Sequence, residues 1–331
     1  METLLGRCVA SWCPGATGVI GAVRLSGGAS QETWSFDIVR PNGNIGAILR
    51  RAPQGYGAAP ARAAGLNAGL NAEADLMQLA HDAGVPSPLV LHVLQPQDDL
   101  GTGFIMERVD GETIARKILR DEKFAKARPI LARQLGKVAA GIHGLSLQRL
   151  PELRHMTAAK EIAELERDYR NFDWPRPVFE LALRWLRERD PGPPEQVTLV
   201  HGDFRHGNFI IGPDGVRAVL DWELAHLGDP MEDLGWISVN SWRYGEIDKP
   251  VGGLGSREEL FAGYQEAGRR VDPDRVMFWE VMGTLRWGVM CCGMMQRFRI
   301  GPEHSVERAM IGRRSSETEI DLLRLLAPRG R

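Results

Sequence analysis

HGDFRHGN at residues 201–208, followed thirteen residues after Asn208 by DWE at residues 221–223, is the stretch that decides the fold of this chain. It places the carboxylate of Asp203 and the carboxamide of Asn208 at D-x-x-x-x-N spacing, and the carboxylate of Asp221 follows. A phosphoryl-transfer site needs one group to orient an attacking hydroxyl and others to hold the magnesium of a bound nucleotide. The motif therefore predicts a kinase.

The sequence around the motif supports this interpretation. A short β-rich run directly before His201 predicts a strand that leads into the motif. Two apolar runs, at 209–211 and 216–220, flank a Gly-Pro-Asp-Gly turn and predict a β-hairpin. Such a hairpin puts position 208 across from about position 219, so Asn208 and Asp221 emerge together. One carboxamide and one carboxylate suit magnesium, which takes few oxygen ligands from protein.

The alternative is an ordinary loop and hairpin, because Asp and Asn are also common turn formers. We interpret His201 as a structural residue that holds the loop by hydrogen bonds, since Asp203 already provides a base. The role of His206 is left open.

The longer sequence HGDFRHGNFII…AVLDWELAHLGDPMEDLGW resembles the signature of the aminoglycoside phosphotransferase family, the small-molecule branch of the protein-kinase fold. It is most similar to the subgroup associated with acyl-CoA dehydrogenases. The resemblance runs from about Val19 to about Arg299 and is densest between 197 and 236.

The resemblance implies a role for each residue of the motif. Asp203 is expected to be the catalytic base, and Asn208 and Asp221 the ligands of Mg²⁺. Further along, Asp229, Pro230 and Asp233 are expected to pack behind the metal-binding loop.

The order of predicted elements indicates an α+β, bilobal fold, and the resemblance implies that this fold is protein-kinase-like. An N-terminal lobe at 1–107 has an antiparallel β-sheet with one main helix and binds the nucleotide. A hinge is predicted at 108–111. The larger, mostly helical C-terminal lobe at 112–331 carries the catalytic loop and the acceptor site.

A glycine-containing loop between the first two strands is the candidate phosphate cover, with Gly27, Gly28 and Ser30 as its contact residues. Glycine lets backbone N–H groups approach a phosphate closely. The alternative is a flexible turn, and the loop departs from the G-x-G-x-x-G pattern of protein kinases.

The third predicted strand ends in Arg50 and Arg51, where protein kinases have a lysine paired with a helical glutamate. Glu73, on the next predicted helix, is the natural partner. The resemblance gives the phosphate-contacting place to Arg50 and the opposite side of the strand to Arg51. Two solvated arginines at a strand end are the alternative.

The strand that ends near Glu107 is predicted to lead into the hinge, where backbone groups of Glu107 and Val109 would bind the adenine. A simple strand-to-helix turn is the alternative. The Ala- and Gly-rich segment at 53–69 is expected to be a mobile loop. The sequence does not determine whether it closes over the site as a lid.

Apolar periodicity predicts helices through most of the rest of the chain. The predicted helical segments are 130–145, two within 152–189, 231–242, 258–269, 274–299 and one amphipathic element at 303–327.

The acceptor is the least determined part of the prediction. Several tryptophans could line an apolar acceptor pocket or simply fill the core; these are Trp174, Trp185, Trp236, Trp242, Trp279 and Trp287. Between 281 and 331 the sequence has nine arginines and five acidic residues. This balance suits a neutral or anionic alcohol better than a polycationic aminoglycoside. The resemblance to the subgroup associated with acyl-CoA dehydrogenases implies an acceptor such as a hydroxyacyl-CoA. Salt-bridged surface helices would give the same composition.

Size and composition agree with a soluble, cytoplasmic enzyme. Its cofactors, ATP and Mg²⁺, and its small-molecule acceptor are predicted from the motif and the resemblance. A formal net charge of −2 gives no general attraction to nucleic acid or membranes. No signal peptide or spanning helix is predicted, and the four cysteines form no CxxC pair. The sequence does not determine whether the protein is a monomer or a homodimer, or whether it prefers ATP or GTP.

Three functional hypotheses remain: a small-molecule O-kinase (an aminoglycoside kinase included), a protein kinase, and a nucleotide-binding pseudokinase scaffold. Gly202 stands where the H-R-D arginine of protein kinases would be, and DWE replaces D-F-G. The intact Asp203, Asn208 and Asp221 argue against a pseudokinase.

Overall fold

The N-terminal part of the protein is built around one antiparallel sheet. The computed structural model describes residues 1–25, 31–53, 68–172, 174–301 and 305–327. Five strands lie in the order β1-β2-β3-β5-β4; they are β1 (Gly18–Arg24), β2 (Glu32–Val39), β3 (Ile45–Arg51), β4 (Val90–Val93) and β5 (Gly103–Glu107). Two helices accompany the sheet, α1 (Glu2–Trp12) and α2 (Leu70–Asp82).

The two faces of this sheet contact different apolar cores, because side chains alternate along a strand. Leu49 of β3 joins a cluster with the buried residues of α1. Its neighbour Ile48 belongs to the main core, which includes α2 and the C-terminal helices. Arg50 and Arg51 continue the same alternation, so their side chains lie on opposite faces of the sheet.

The C-terminal part is mostly helical. Its helices are α3 (Ala115–Arg120), α4 (Arg128–His143), α5 (Ala158–Arg170), α6 (Pro177–Glu188), α7 (Met231–Ser238), α8 (Arg257–Glu266), α9 (Pro273–Ile300), α10 (Val306–Arg313) and α11 (Ser315–Leu326). The long helix α9 packs against α5, α6, α7, α10 and α11 and so organises this part. The antiparallel sheet and the larger helical region together give the predicted α+β architecture.

The predicted helices at 130–145, 258–269 and 274–299 match the structure to within three residues at each end, and two others differ by more. The predicted element at 303–327 is divided into α10 and α11, and α11 begins at Ser315, whose hydroxyl accepts a hydrogen bond from Arg176. The predicted helix at 231–242 ends at Ser238. The Arg243 side chain binds the Ser238 carbonyl there (Nη2, 2.6 Å), in place of a further helical turn.

Two short strand pairs position the HGDFRHGN loop. Strand β6 (Thr198–Val200) pairs with β9 (His226–Gly228), and β7 (Phe209–Gly212) pairs with β8 (Gly215–Val219). A register shift in the second pair takes up one extra residue. Asn208 therefore lies across from Leu220, one position beyond the predicted partner, and its carbonyl accepts the Leu220 N–H (2.8 Å).

Candidate active site

The loop between β6 and β7 is anchored by the buried carboxylate of Asp233 on α7. This carboxylate accepts hydrogen bonds from the backbone N–H groups of His201 (2.8 Å) and Gly202 (2.9 Å). His143 Nε2 lies 3.0 Å from Asp233 Oδ2, and its Nδ1 lies 2.8 Å from the Tyr264 hydroxyl. Burial alone would raise the pKa of Asp233, but the bonds from His143 and His201 hold it below the ordinary value. The resemblance placed Asp233 behind the loop, and the structure puts it there.

Gly202 occupies a position that a larger residue could not adopt without strain. Its φ is +81°, and a Cβ atom built there would lie 2.5 Å from the carbonyl oxygen of Leu224. The Gly202 carbonyl in turn accepts a hydrogen bond from Arg286 Nη2 (2.9 Å). The glycine that replaces the protein-kinase arginine is therefore required by the path of the backbone.

Asp203 is nearly buried, and three side chains bind its carboxylate. Oδ1 accepts from Trp236 Nε1 (2.8 Å) and from Arg205 Nε (2.8 Å). Oδ2 accepts from Asn208 Nδ2 (2.7 Å), which also binds the Asp203 carbonyl (2.9 Å). Each oxygen of an ionised carboxylate accepts about two hydrogen bonds. The bonds described thus fix the carboxylate plane and leave acceptor capacity on Oδ2.

Asn208 and Asp221 are brought to the same end of the β7–β8 hairpin. Because carboxylate and carbonyl oxygens only accept, the two bonds at Asn208 assign its Nδ2 toward Asp203 and its Oδ1 away from it. Asp221 has a left-handed backbone (φ +67°), which Asp tolerates better than most residues. Its side chain is 30% exposed. A carboxamide oxygen and a carboxylate are therefore both available at this end of the hairpin.

Arg50 of β3 links the N-terminal sheet to this end of the β7–β8 hairpin. Its guanidinium lies 2.9 Å from Glu73, 2.5 Å from Asp221 and 4.0 Å from Glu223. Gln31 also binds Arg50 and donates to Glu223 (3.3 Å). One guanidinium thus faces three carboxylates, and sequence reasoning gave no role to the third, Glu223.

Two of these carboxylates have raised pKa values. Burial raises the pKa of Glu73 to about 8, with Asp221 and Glu223 adding to the shift and Arg50 opposing it. Burial and the neighbouring Asp221 raise the pKa of Glu223 to about 7. Three carboxylates thus lie beside one guanidinium, an arrangement that suits a site which receives a further cation.

Arg51 lies on the other face of the sheet, away from this cluster. It is buried, donates to Glu32 from Nε (3.0 Å) and Nη2 (2.9 Å), and binds the Leu100 carbonyl through Nη1 (3.2 Å). The interpretation of both arginines as solvated ends of a strand is wrong, since each is held by buried or half-buried partners.

The remaining residues predicted to bind the nucleotide are only partly described. Glu107 exchanges hydrogen bonds with Leu89: its N–H donates to the Leu89 carbonyl (2.9 Å), and its Oε1 accepts the Leu89 N–H (3.0 Å). Val109 follows β5 and is half-buried. Gly27, Gly28 and Ser30 lie outside the described residues, as does most of the segment predicted to be a lid.

The two loop histidines are structural in this arrangement. His201 Nδ1 accepts the Asp203 N–H (3.2 Å) and its Nε2 lies 3.1 Å from the Leu220 carbonyl, so the ring joins the two arms of the site. Burial lowers the pKa of His201. Burial also lowers the pKa of His206 to about 4, and its Nε2 lies 2.8 Å from the Gly252 carbonyl. Both rings are therefore neutral near neutral pH.

A cluster of aromatic rings lies beside Asp203. Trp236 and Trp242 pack edge to face with ring centres 5.2 Å apart, and Trp287 lies 4.9 Å beyond. The Arg205 guanidinium lies 4.7 Å from the Trp242 ring centre, and that of Arg286 lies 4.0 Å from the Trp236 ring centre. Two of the six tryptophans considered for the acceptor site thus connect directly to Asp203 or its partner.

The three tryptophans outside this cluster have different surroundings. Trp185 stacks on Phe278, Trp279 donates to Asp229 (2.9 Å), and Trp174 is exposed. Asp229 also binds Arg275 (2.6 Å), which fixes the segment between β9 and α7.

Sequence reasoning missed the bonds that Arg205 and Trp236 make to Asp203. The available signal was their position in sequence: Arg205 lies within HGDFRHGN, and Trp236 is the last residue of the longer signature. The geometry of Trp236 depends on the packing of α7 against the loop, which no local pattern encodes.

The family of the protein follows from comparison with known sequences. Residues 21–279, most of the chain, match the phosphotransferase enzyme family. The chain therefore belongs to this family, and the prediction of a phosphotransferase enzyme is confirmed.

Individual relatives agree with this membership. Acyl-CoA dehydrogenase family member 10 of Mus musculus is 30% identical over 197 residues, covering 57% of this chain and 18% of the relative. The predicted similarity to a subgroup associated with acyl-CoA dehydrogenases is thus confirmed. The chain spans less than a third of the length of the curated relatives that it matches first.

Solved structures confirm the protein-kinase-like fold. A Ralstonia eutropha protein assigned to the aminoglycoside phosphotransferases superposes with a TM-score of 0.75 at 20% identity, covering 98% of this chain and 97% of that one. A thermostable mutant of an aminoglycoside phosphotransferase, in a ternary complex with AMP-PNP and hygromycin B, gives 0.63 at 18% identity, covering 99% and 100%. Within the ranges that the structure describes, no helix is long and apolar enough to cross a membrane.

Proposed function

We propose that this protein is an ATP-dependent O-phosphotransferase, which moves the γ-phosphoryl group of Mg-ATP to a hydroxyl of a small molecule. One observation supports this most strongly: Asn208 binds the Asp203 carboxylate at 2.7 Å, and the hairpin brings Asp221 to the same end as Asn208. The proposed base and the two proposed metal ligands are thus neighbours, as an in-line transfer requires.

In this proposal Asp203 is the base. The acceptor hydroxyl donates a hydrogen bond to Oδ2, which orients its oxygen toward the γ-phosphorus, and its proton passes to the carboxylate during transfer. Trp236, Arg205 and Asn208 hold the carboxylate in one orientation, so it need not reorganise during the reaction.

Asn208 and Asp221, at the same end of the hairpin, fit a magnesium ion. The Oδ1 atom of Asn208 faces away from Asp203, and 30% of the Asp221 side chain is exposed. Mg²⁺ takes oxygen ligands and keeps several waters or phosphates. Asn208 and Asp221 would hold the ion, which supplies charge neutralisation at the β- and γ-phosphates when bound.

The nucleotide is proposed to bind between an N-terminal lobe (1–107) and a C-terminal lobe (112–331), with 108–111 as the hinge. Arg50, held by Glu73, would contact the phosphates, and the loop with Gly27, Gly28 and Ser30 would cover them. Glu107 already uses its N–H, so its carbonyl is the group proposed for the adenine amino group, with the Val109 N–H beside it.

The acceptor is proposed to be a neutral or anionic alcohol, with a hydroxyacyl-CoA as the leading candidate. Arg205 supports this, because its guanidinium adjoins the base and a quarter of its side chain is exposed. A polycationic aminoglycoside would be repelled at that position. The similarity to an acyl-CoA dehydrogenase family member supports an acyl-CoA acceptor.

The test measures ATP consumption by the purified chain with hydroxyacyl-CoAs, simple alcohols, aminoglycosides and a peptide library as acceptors. Product mass should increase by one phosphate for a small-molecule alcohol. Turnover on peptides alone would refute the proposal. Tight ATP binding without turnover on any acceptor would instead identify a pseudokinase scaffold.

A further inference from the structure

Three side chains that commonly bind metals converge on the α1 face of the N-terminal sheet, opposite the face that carries Arg50. Cys8 comes from α1, His92 from β4, and Asp98 from a short 3₁₀ helix (Pro96–Asp98). One sulfur, one ring nitrogen and one carboxylate oxygen all lie within 4.8 Å of one another. Residues from three separate elements therefore offer three ligand atoms to one point.

The spacing is close to that of a bound zinc ion. Zinc binds sulfur at about 2.3 Å and nitrogen or oxygen at about 2.0 Å, so ligand atoms in a tetrahedron lie roughly 3.3–3.5 Å apart. His92 Nε2 and Asp98 Oδ2 are now 2.7 Å apart and would separate slightly. The Cys8 sulfur lies within 4.8 Å of both atoms, so it would move inward by no more than about 1.5 Å.

The three side chains are also largely shielded from solvent and fixed by neighbouring groups, as the ligands of a metal centre are. Cys8 and Asp98 are buried, and 16% of the His92 side chain is exposed, which leaves one side open to water. Asp98 Oδ2 accepts the Gln95 N–H (2.7 Å), and the Trp12 ring stacks on His92 with centres 5.2 Å apart and planes 7° apart. Such outer contacts orient ligands in metal sites.

Trp12 adds a further contact at the cluster. It lies one helical turn after Cys8 on α1, so both side chains face the same side, and its indole N–H is directed at the Cys8 sulfur. A thiolate accepts such a hydrogen bond more strongly than a neutral thiol does.

We propose that Cys8, His92 and Asp98 form a Zn²⁺ site with water as the fourth ligand. Binding releases the Cys8 thiol proton to solvent; His92 coordinates as a neutral imidazole and Asp98 as a carboxylate. The ion would tie α1 to β4 at the edge of the sheet. Mixed sulfur, nitrogen and oxygen ligands favour zinc over magnesium or calcium.

The test uses the full chain after treatment with a chelator, and Co²⁺ as a spectroscopic probe for zinc. The expected result is one Co²⁺ per chain, a thiolate-to-cobalt charge-transfer band, and loss of that band when Zn²⁺ is added. Zinc should also raise the melting temperature by several degrees. Neither readout depends on phosphotransferase activity.

Two matched variants locate the site. Cys8→Ser should abolish the charge-transfer band and the zinc-dependent rise in melting temperature. Cys13→Ser, which removes the other buried cysteine at the end of α1, should keep both. The absence of a cobalt band in the unmodified chain, or an equal band in Cys8→Ser, would overturn the proposal, as would loss of the band in Cys13→Ser with the fold intact.

Discussion

Trp236 donates its indole N–H to Oδ1 of Asp203 across 2.8 Å, and both side chains are buried. The Trp236 ring is in turn covered by Arg286 of α9, which also binds the carbonyl of Gly202. The orientation of the proposed base therefore depends on two helices that lie outside the motif itself.

Trp236→Phe should lower kcat about tenfold or more, because a hydrogen bond to a charged group contributes roughly 1.5–3 kcal/mol. The KM for ATP should stay close to that of the wild type, since Trp236 contacts the base and not the proposed phosphate-binding residues. Steady-state kinetics with saturating acceptor measure both values. Trp242→Phe is the control, because its indole N–H has no partner among the described residues; equal loss in both variants would contradict the assignment.

Arg50→Ala and Arg51→Ala should have different effects, although the residues are adjacent. Arg50 faces Glu73 and Asp221, so its removal should raise the KM for ATP. Arg51 is buried against Glu32 and the Leu100 carbonyl, so its removal should lower the melting temperature. Nucleotide titrations and thermal unfolding of each variant distinguish the two. A larger rise in KM for Arg51→Ala would reverse the assignment.

Asp221→Ala should weaken Mg-ATP binding. We expect the Mg²⁺ concentration for half-maximal activity to rise about tenfold or more, the range seen even for residues that only support metal ligands. Asp214→Ala, at the exposed turn of the same hairpin, is the matched control and should leave the requirement unchanged. The same Mg²⁺ requirement in both variants would argue against Asp221 as a ligand.

His206→Gln should reduce the loss of stability in mild acid. Burial lowers the pKa of His206 to about 4 from an ordinary 6.5, so the unfolded chain binds a proton that the folded chain excludes. This contribution to stability is complete above pH 6.5 and is lost as the pH falls toward 4. Glutamine does not titrate and can still donate to Gly252. Melting temperatures measured across this range should fall less steeply for the variant, and an identical slope would contradict the account.

The sequence predicted the elements around the site well, because strong local signals mark them. The Gly-Pro-Asp-Gly turn defines the β7–β8 hairpin, and the prediction misplaced the partner of Asn208 by one residue only because a bulge has no sequence signature here. Strand alternation likewise separates Arg50 from Arg51.

Long-range contacts could not be predicted in the same way. Trp236 reaches Asp203 through the packing of α7, and Arg205 could have pointed into solvent as easily as toward the base. After the division between α10 and α11, the second helix begins at Ser315, which binds Arg176, a residue 139 positions away in sequence. Tertiary packing decides such features, and periodicity does not report it.

The most direct measurement compares phosphoryl transfer and nucleotide binding in the wild type and in Asp203→Asn. Asparagine preserves the shape of the side chain but cannot take up the proton of the substrate hydroxyl. We predict that kcat falls by a factor of about 10² to 10⁴, the usual contribution of a general base. The Kd for Mg-ATP, measured by calorimetry, should stay within a few-fold of the wild type. Near-normal turnover by Asp203→Asn would contradict the proposal that Asp203 is the base.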